Sequence, residues 1–455
     1  MCDKKNSIKG LRATEKSVNL QRGMKCLWRN EGSIKQFSAP LALFRLHPYF
    51  RKEYSLMNRF VGLLVAVFLA CFLLSAPRAA AQTEAVDSIE VSLLTCSPGK
   101  QAYELYGHAA LRVRFVDRGK DLVFNYGVFD FNTPHFAWRF MCGETDYTVG
   151  VYAYADFCAG YTAEGRDVYE QCLNLRPVEA HRLANRVMQD AAVAGWTYRY
   201  NFLYDNCITR LVAMIEASVE GKIVWPEAEN GSRTFRQIMH EYAGAAAPWN
   251  TFGQDLILGA EVDEPLDVRR QMFAPAYAAR YFDGAVIRGK DGTTRPLVRS
   301  SHGSPMQPRT AADDSIWPSP LTASLLLVAA TLMLTIWELR RRRVCRLFDD
   351  VLLLARGGLG VVVAFLFFCS VHPAVGSNWL LLLLHPLPLL ALPIKVVRER
   401  RGCTPLYPWT TLAEVLVAGV VLPLSPQEVP FGVYALLCVM LLRAVSGLYL
   451  ARQKK

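Results

Sequence analysis

Three side chains have types and spacing suited to nucleophilic catalysis. Cys207 follows Asp205 and Asn206, both good helix N-caps. The run after it, Ile208 to Glu220, places Ile208, Leu211, Val212 and Ile215 at helical spacing, and Gly221 is a natural stop. Cys207 is therefore predicted in the first turn of an amphipathic helix. Unpaired N–H groups and the positive dipole end favour a thiolate there. A free thiol, with a pKa of about 8.5, is only a few per cent ionised at neutral pH, so a drop of about two units makes most of it nucleophile. Most cysteines are small core residues, so a second group must support the assignment. His108 supplies a base of suitable pKa, at the head of a strand and on its more polar face. Asn125, on the next predicted strand, is the candidate to orient the imidazole, and Asp130 is the next choice.

The elements that must hold these residues follow from pattern. Ile89 to Leu94 reads as a strand. Ala109, Leu111, Val113 and Phe115 alternate with His108, Ala110, Arg112 and Arg114, and Leu122 to Val128 gives a third strand. Pro177 to Val193 reads as a helix with proline in its first turn, and Arg233 to Tyr242 as another. Residues 132–165 are rich in aromatics and glycine and carry no clear period. Residues 286–316 hold Gly, Asp, Ser and Pro and read as a linker.

The 455 residues are 52% hydrophobic with a net charge of +11, too apolar for an ordinary soluble protein. The charge lies in the first fifty residues and beside apolar segments, a pattern of membrane topology rather than nucleic-acid binding. Met57, the apolar run from Phe60 to Leu74 and the alanines at 79–81 form a secretory signal. Residues 1–56 then read as an over-extended start; the alternative is an uncleaved anchor with a cytoplasmic tail. Residues 87–308 read as an exported domain. Five apolar segments follow, roughly 317–338, 351–371, 379–394, 409–425 and 431–449, the third short and broken by prolines. Basic clusters follow the first, third and fifth, while the loops at 372–378 and 425–431 carry no Lys or Arg. The exported domain and these loops are thus expected outside, and the C-terminus inside. No charge is expected deep in a span, which argues against a channel or proton-coupled pump. The 12 cysteines form no CxxC pair and no zinc-type cluster, so no metal or cofactor is expected. Cys96, Cys142, Cys158 and Cys172 leave Cys207 as the odd cysteine of the exported domain.

Tyr106 to Val113, Phe124 to Phe131, Leu173 to Leu175 and Tyr200 to Arg210 together resemble the Lnb family. Phe252 to Gly259, Met272 to Pro275, and His372 with Asn378 and Trp379 fit the same pattern. Tyr-Gly-His at 106–108 and Asp-Asn-Cys at 205–207 are its most specific parts, and the likeness runs from about residue 87 to the end. The family is a bacterial lipoprotein N-acyltransferase with a periplasmic domain followed by transmembrane helices. The order of a strand histidine before a helix cysteine also resembles circularly permuted NlpC-like papain folds, which include lipid acyltransferases and peptidases. The resemblance implies an α+β periplasmic domain of that kind, followed by an all-α bundle of about five helices in the bacterial inner membrane. It implies acyl transfer through a thioester on Cys207, with His108 as base, from a phospholipid donor to a diacylated lipoprotein. Tyr106, Tyr204 and Asp205 are candidates to line the site, although aromatics beside such a helix are usually core. Arg210 either binds a phosphate or pairs with Asp205. His372 either touches a lipid headgroup or is structural. The rival readings are an envelope cysteine peptidase or amidase, which the same residues would serve, and a non-catalytic membrane scaffold.

Overall fold

The structure, a computed structural model, describes residues 59–67, 88–228, 231–307, 316–403 and 406–453. Two compact units divide the chain after Gln82. In the first, residues 59–67 form a helix. The expected start at Met57, the basic leader and the cleavage site near Ala81 lie outside the described residues.

The second unit opens with the strands β1 (Ile89–Cys96), β2 (His108–Phe115), β3 (Lys120–Val128), β4 (Asp146–Ala153), β5 (Val168–Leu173) and β6 (Tyr198–Arg199). Between β3 and β4 lies helix α1 (Phe136–Cys142). Then come α2 (Tyr154–Ala163), α3 (Pro177–Ala192) and α4 (Cys207–Ser218). Strands β7 (Lys222–Val224), β8 (Val286–Arg288) and β9 (Thr294–Pro296) form a small sheet, and β10 (Val298–His302) follows. Helices α5 (Phe235–Ala243), α6 (Pro248–Ile257), α7 (Val268–Gln271) and α8 (Pro275–Gly284) stand between β7 and β8. The main sheet is antiparallel, in the order β10-β5-β1-β2-β3-β4-β6. The α+β expectation therefore holds. The linker expected at 286–316 does not: residues 286–302 supply β8, β9 and the edge strand β10. Short strands interrupted by Gly and Asp turns lack the period that marks longer ones.

The alternation along β2 decides the packing. Leu93, Ala109, Leu111, Val113, Phe124 and Tyr126 turn one face of the sheet toward Leu183 and Val187 of α3 and Ile208, Leu211, Val212 and Ile215 of α4. Each fully buried Leu, Ile or Val contributes roughly 1.5–3 kcal/mol. Rotating α4 would expose its four apolar residues at a cost of several kcal/mol, so the core fixes where Cys207 points. Asn206 caps α4 by accepting from Ile208 N and Thr209 N at 3.0 Å each. The other face of the sheet is covered by α2, with Leu94, Cys96, Ala110, Val123 and Phe157 packed together.

Five helices long and apolar enough to cross a membrane follow: α9 (Pro320–Arg341), α10 (Arg346–Cys369), a third running Trp379–Arg400, α12 (Tyr407–Leu424) and α13 (Phe431–Arg452). The third is broken as its prolines predict: a 3-10 turn at Trp379–Leu382 precedes α11 (Leu387–Arg400). The loops between the second and third and between the fourth and fifth spans meet the exported domain. Gly259 N donates to Ala374 O at 2.7 Å, Asn378 Nδ2 to Leu256 O at 2.8 Å, and Gln427 Nε2 to Leu258 O at 3.1 Å. A Cβ at Gly259 would lie 2.3 Å from the Ser377 backbone, so only glycine permits this approach. At the other end Lys395 of α11 pairs with Asp350 of α10 at 2.6 Å. The third segment therefore runs from the end that meets the exported domain to the opposite end of the bundle. We predict that a tag after Lys455 is shielded from an impermeant reagent in intact spheroplasts and reacts after lysis; labelling before lysis would contradict this topology.

The expectation of spans without deep charge is overturned. Arg356 of α10 is ion-paired with Glu414 of α12, and its Nη1 also meets Met440 Sδ at 3.5 Å. Arg443 of α13, fully buried, bonds Glu338 of α9 at 2.6 Å and Asp349 of α10 at 2.7 Å. Each partner comes from a different helix, so hydropathy along one segment averages the charge away. Removing one partner would leave an uncompensated charge in an apolar interior, costing roughly 3–5 kcal/mol.

Candidate active site

His108 opens β2 directly across from Cys96 on β1, and Asn125 lies on the adjacent β3. The His108 Nε2 is hydrogen-bonded to Asn125 Oδ1, and the imidazole is also hydrogen-bonded to the Cys207 thiol. With Nε2 held by Asn125, Nδ1 is the nitrogen left for sulfur. Burial alone would push the Cys207 thiol up. The His108 charge, its hydrogen bond and the backbone N–H groups of Ala109 and Ile208 outweigh that and hold the thiol below its ordinary value. Burial likewise opposes charge on His108, yet the Cys207 thiolate and the bonds to Cys207 and Asn125 hold it above its ordinary value. Both shifts favour an imidazolium–thiolate pair. Cys96 is the control within the same fold: burial pushes its thiol up to about 12, so it stays protonated. Those described cysteines that lie in the exported domain, Cys96, Cys142, Cys158, Cys172 and Cys207, are all free thiols.

Tyr200 is a residue that sequence reasoning missed. Its phenol oxygen faces the Cys207 backbone N–H, and burial first, then the Cys207 charge, holds its pKa well above the ordinary value. It remains a hydroxyl donor. Gly127 makes room for it: at φ 95° its absent Cβ would stand 3.1 Å from the Tyr200 ring. Tyr147 lies tilted against Tyr200 with ring centroids 4.7 Å apart. The available signal was the Tyr198, Tyr200, Tyr204 spacing before the cysteine, which reads as ordinary core.

The model of the Lnb N-terminal periplasmic domain matches residues 76–241, and that of the Lnb transmembrane domain matches residues 312–455. The chain belongs to the Lnb family. No curated protein and no solved structure matches it. This Lnb-family chain is thus a membrane protein with a periplasmic domain, and Cys207, His108 and Asn125 all fall inside the first match.

The remaining candidates are spread around this Lnb site. Asp130 accepts from Asn132 N at 2.8 Å in its own turn, so Asn125 alone of the two meets the imidazole. Tyr106 donates to Gln254 Oε1 at 2.6 Å. Tyr204 bonds Glu261. Arg210 pairs with Asp205, and its guanidinium lies 3.8 Å over the Tyr198 ring. His372 sits on the loop after α10, 2.5 Å from Phe140 O of α1 through Nε2. Burial holds its pKa below the ordinary value. Among the described residues no group of three or more His, Cys, Asp or Glu side chains is arranged to hold a metal ion.

From its bond to His108 we propose that Asn125 orients the imidazole. Asn125→Ala is expected to lower kcat/KM on the order of ten- to hundredfold, against about a thousandfold or more for loss of the imidazole, because a base held in the wrong orientation still carries the right pKa. Equal losses at the two positions would assign Asn125 more than orientation.

Proposed function

We propose that this protein is a cysteine acyltransferase that moves an acyl chain from a phospholipid to the N-terminal amine of a diacylglyceryl-cysteine lipoprotein. The observation that carries the reading is the hydrogen-bonded Cys207–His108 pair, with Asn125 on the imidazole, in a domain whose loops seat on the outer ends of five spans. The Cys207 thiolate attacks the ester carbonyl. The carbonyl–oxygen bond breaks, His108 gives its proton to the leaving alcohol, and a lysophospholipid departs, leaving a thioester. The lipoprotein amine then attacks the thioester, His108 takes its proton, and the thiolate leaves as the amide forms. The Tyr200 hydroxyl would donate to the oxyanion, and the Cys207 N–H, which faces the Tyr200 oxygen in the resting site, would turn to it as it forms. Tyr198 and Tyr200 lie beside the thiol with Tyr147 packed against Tyr200, and excluding water favours aminolysis over hydrolysis.

Tyr200→Phe removes one of these donors and keeps the ring. It is expected to lower kcat about 10²–10³-fold with little change in KM; an unchanged kcat would discard the donor role. The function itself is tested by reconstituting the full chain in phospholipid vesicles with a synthetic diacylated lipopeptide. Mass spectrometry should show the peptide heavier by one acyl chain, linked as an amide. A shortened peptide with no acyl gain would instead establish the peptidase.

A further inference from the structure

Helix α1 carries its aromatic side chains outward. Trp138 is 57% exposed and Phe140 47%, and Phe131, in the turn before the helix, is 61% exposed beside them. Such a patch is unfavourable in water and favourable at a bilayer surface, where aromatic rings collect. Its location is set by contacts with the second span. Trp138 packs on Phe365 with centroids 5.2 Å apart, near the outward end of α10 at Cys369. Val371 N, two residues past the end of α10, donates at 2.9 Å to the O of Cys142, the last residue of α1. Helix α1 thus lies at the level where the span leaves the hydrocarbon.

From that helix a row of rings leads inward. Phe140 stacks on Phe136 at 6.2 Å and Phe136 on Phe129 at 5.9 Å. Phe129 stacks on Tyr147 at 4.9 Å and Tyr147 meets Tyr200 at 4.7 Å. Tyr200 closes onto Cys207. Rings can also seat a sugar, but a sugar needs polar groups beside the stacking face. Here the Tyr147 ring packs between Phe129 and Tyr200, and burial pushes its pKa up to about 12. The row suits a hydrocarbon.

We propose that the row Phe140, Phe136, Phe129, Tyr147, Tyr200 is the seat of the acyl chain of an outer-leaflet phospholipid, running from the bilayer surface to the Cys207 sulfur. The proposal rests on the acyl-transfer reading and names its donor path. The outward face of α1 dips into the headgroup region. A lipid chain leaves the leaflet there, lies along the row, and brings its ester to sulfur.

The test uses the full chain carrying Cys207→Ala, so that no turnover is needed, in vesicles of phosphatidylethanolamine doped with a phosphatidylcholine bearing a diazirine along its acyl chain. After irradiation, adducts are expected on peptides covering residues 129–147. Phe136→Asp should cut their yield about tenfold or more, because a carboxylate is costly in an apolar seat. If that variant does not fold, the adduct map of the Cys207→Ala protein decides alone. Adducts confined to residues 320–452 would overturn the path. If the wild-type chain nonetheless forms a thioester, acyl transfer stands and only the path falls. Adducts at 129–147 in a protein that never acylates a lipopeptide would uphold the lipid seat and remove the acyl-transfer reading.

Discussion

Cys207→Ser is expected to lower acyl transfer by about 10⁴-fold or more while the protein still folds and inserts, as removing a covalent nucleophile does elsewhere. Sulfur and oxygen are close in shape, and the position is a buried one in the first turn of α4, so the caps and the apolar face of that helix are untouched. What changes is ionisation. The opposed shifts of the two groups favour an imidazolium–thiolate pair, in which sulfur is already the nucleophile. A serine hydroxyl does not ionise beside a histidine, so the step would begin from a neutral, weaker group. Turnover of the reconstituted variant, with its melting profile beside the wild type, checks both halves. Substantial turnover by the serine form would remove Cys207 as the nucleophile.

The second large effect is expected at His108. His108→Ala should cost about a thousandfold or more in kcat/KM and should also change the pH dependence. In the wild type the thiol is held down by His108 and the imidazole is held up by the thiolate, so the ion pair fills the interval between two apparent pKa values that belong to the pair. Activity should fall on the acid side as the thiolate is protonated and on the alkaline side as the imidazolium loses the proton it gives to the leaving alcohol. Without His108, burial acts on the thiol unopposed by the imidazolium, and the pH at which Cys207 reacts with iodoacetamide should move upward, toward or beyond the ordinary thiol value of about 8.5. An alkylation profile unchanged in His108→Ala would mean that the backbone N–H groups of Ala109 and Ile208 hold the thiolate by themselves.

Much of this arrangement was legible in the sequence because it rests on local rules. Asn206 is a capping residue followed by an amphipathic run, so Cys207 had to enter the first turn of a helix, although that helix ends at Ser218, before the glycine stop. The β2 alternation placed His108 at a strand end, and Asn125 on the neighbouring strand came within reach of it. What was not legible depends on partners distant in the chain. Tyr200 becomes distinctive only when Gly127 leaves room for its ring against Cys207. Arg356, Glu414 and Arg443 are isolated charges in apolar segments until the bundle brings their counter-ions from other helices. Residues 132–165 mix aromatics with glycine at no fixed period, and their order as α1, β4 and α2 follows from the sheet and spans they pack against rather than from local preference.

The central claim is that Cys207 carries the acyl group. It is tested most directly by intact-mass measurement of the full chain after incubation with phospholipid alone, with no lipopeptide acceptor to discharge it. A mass gain of one acyl chain is predicted, mapped to the peptide containing Cys207, removed by neutral hydroxylamine and absent from Cys207→Ser. A protein that keeps its unmodified mass while it acylates lipopeptide when the acceptor is added would contradict the account, because transfer would then proceed without an acyl-enzyme.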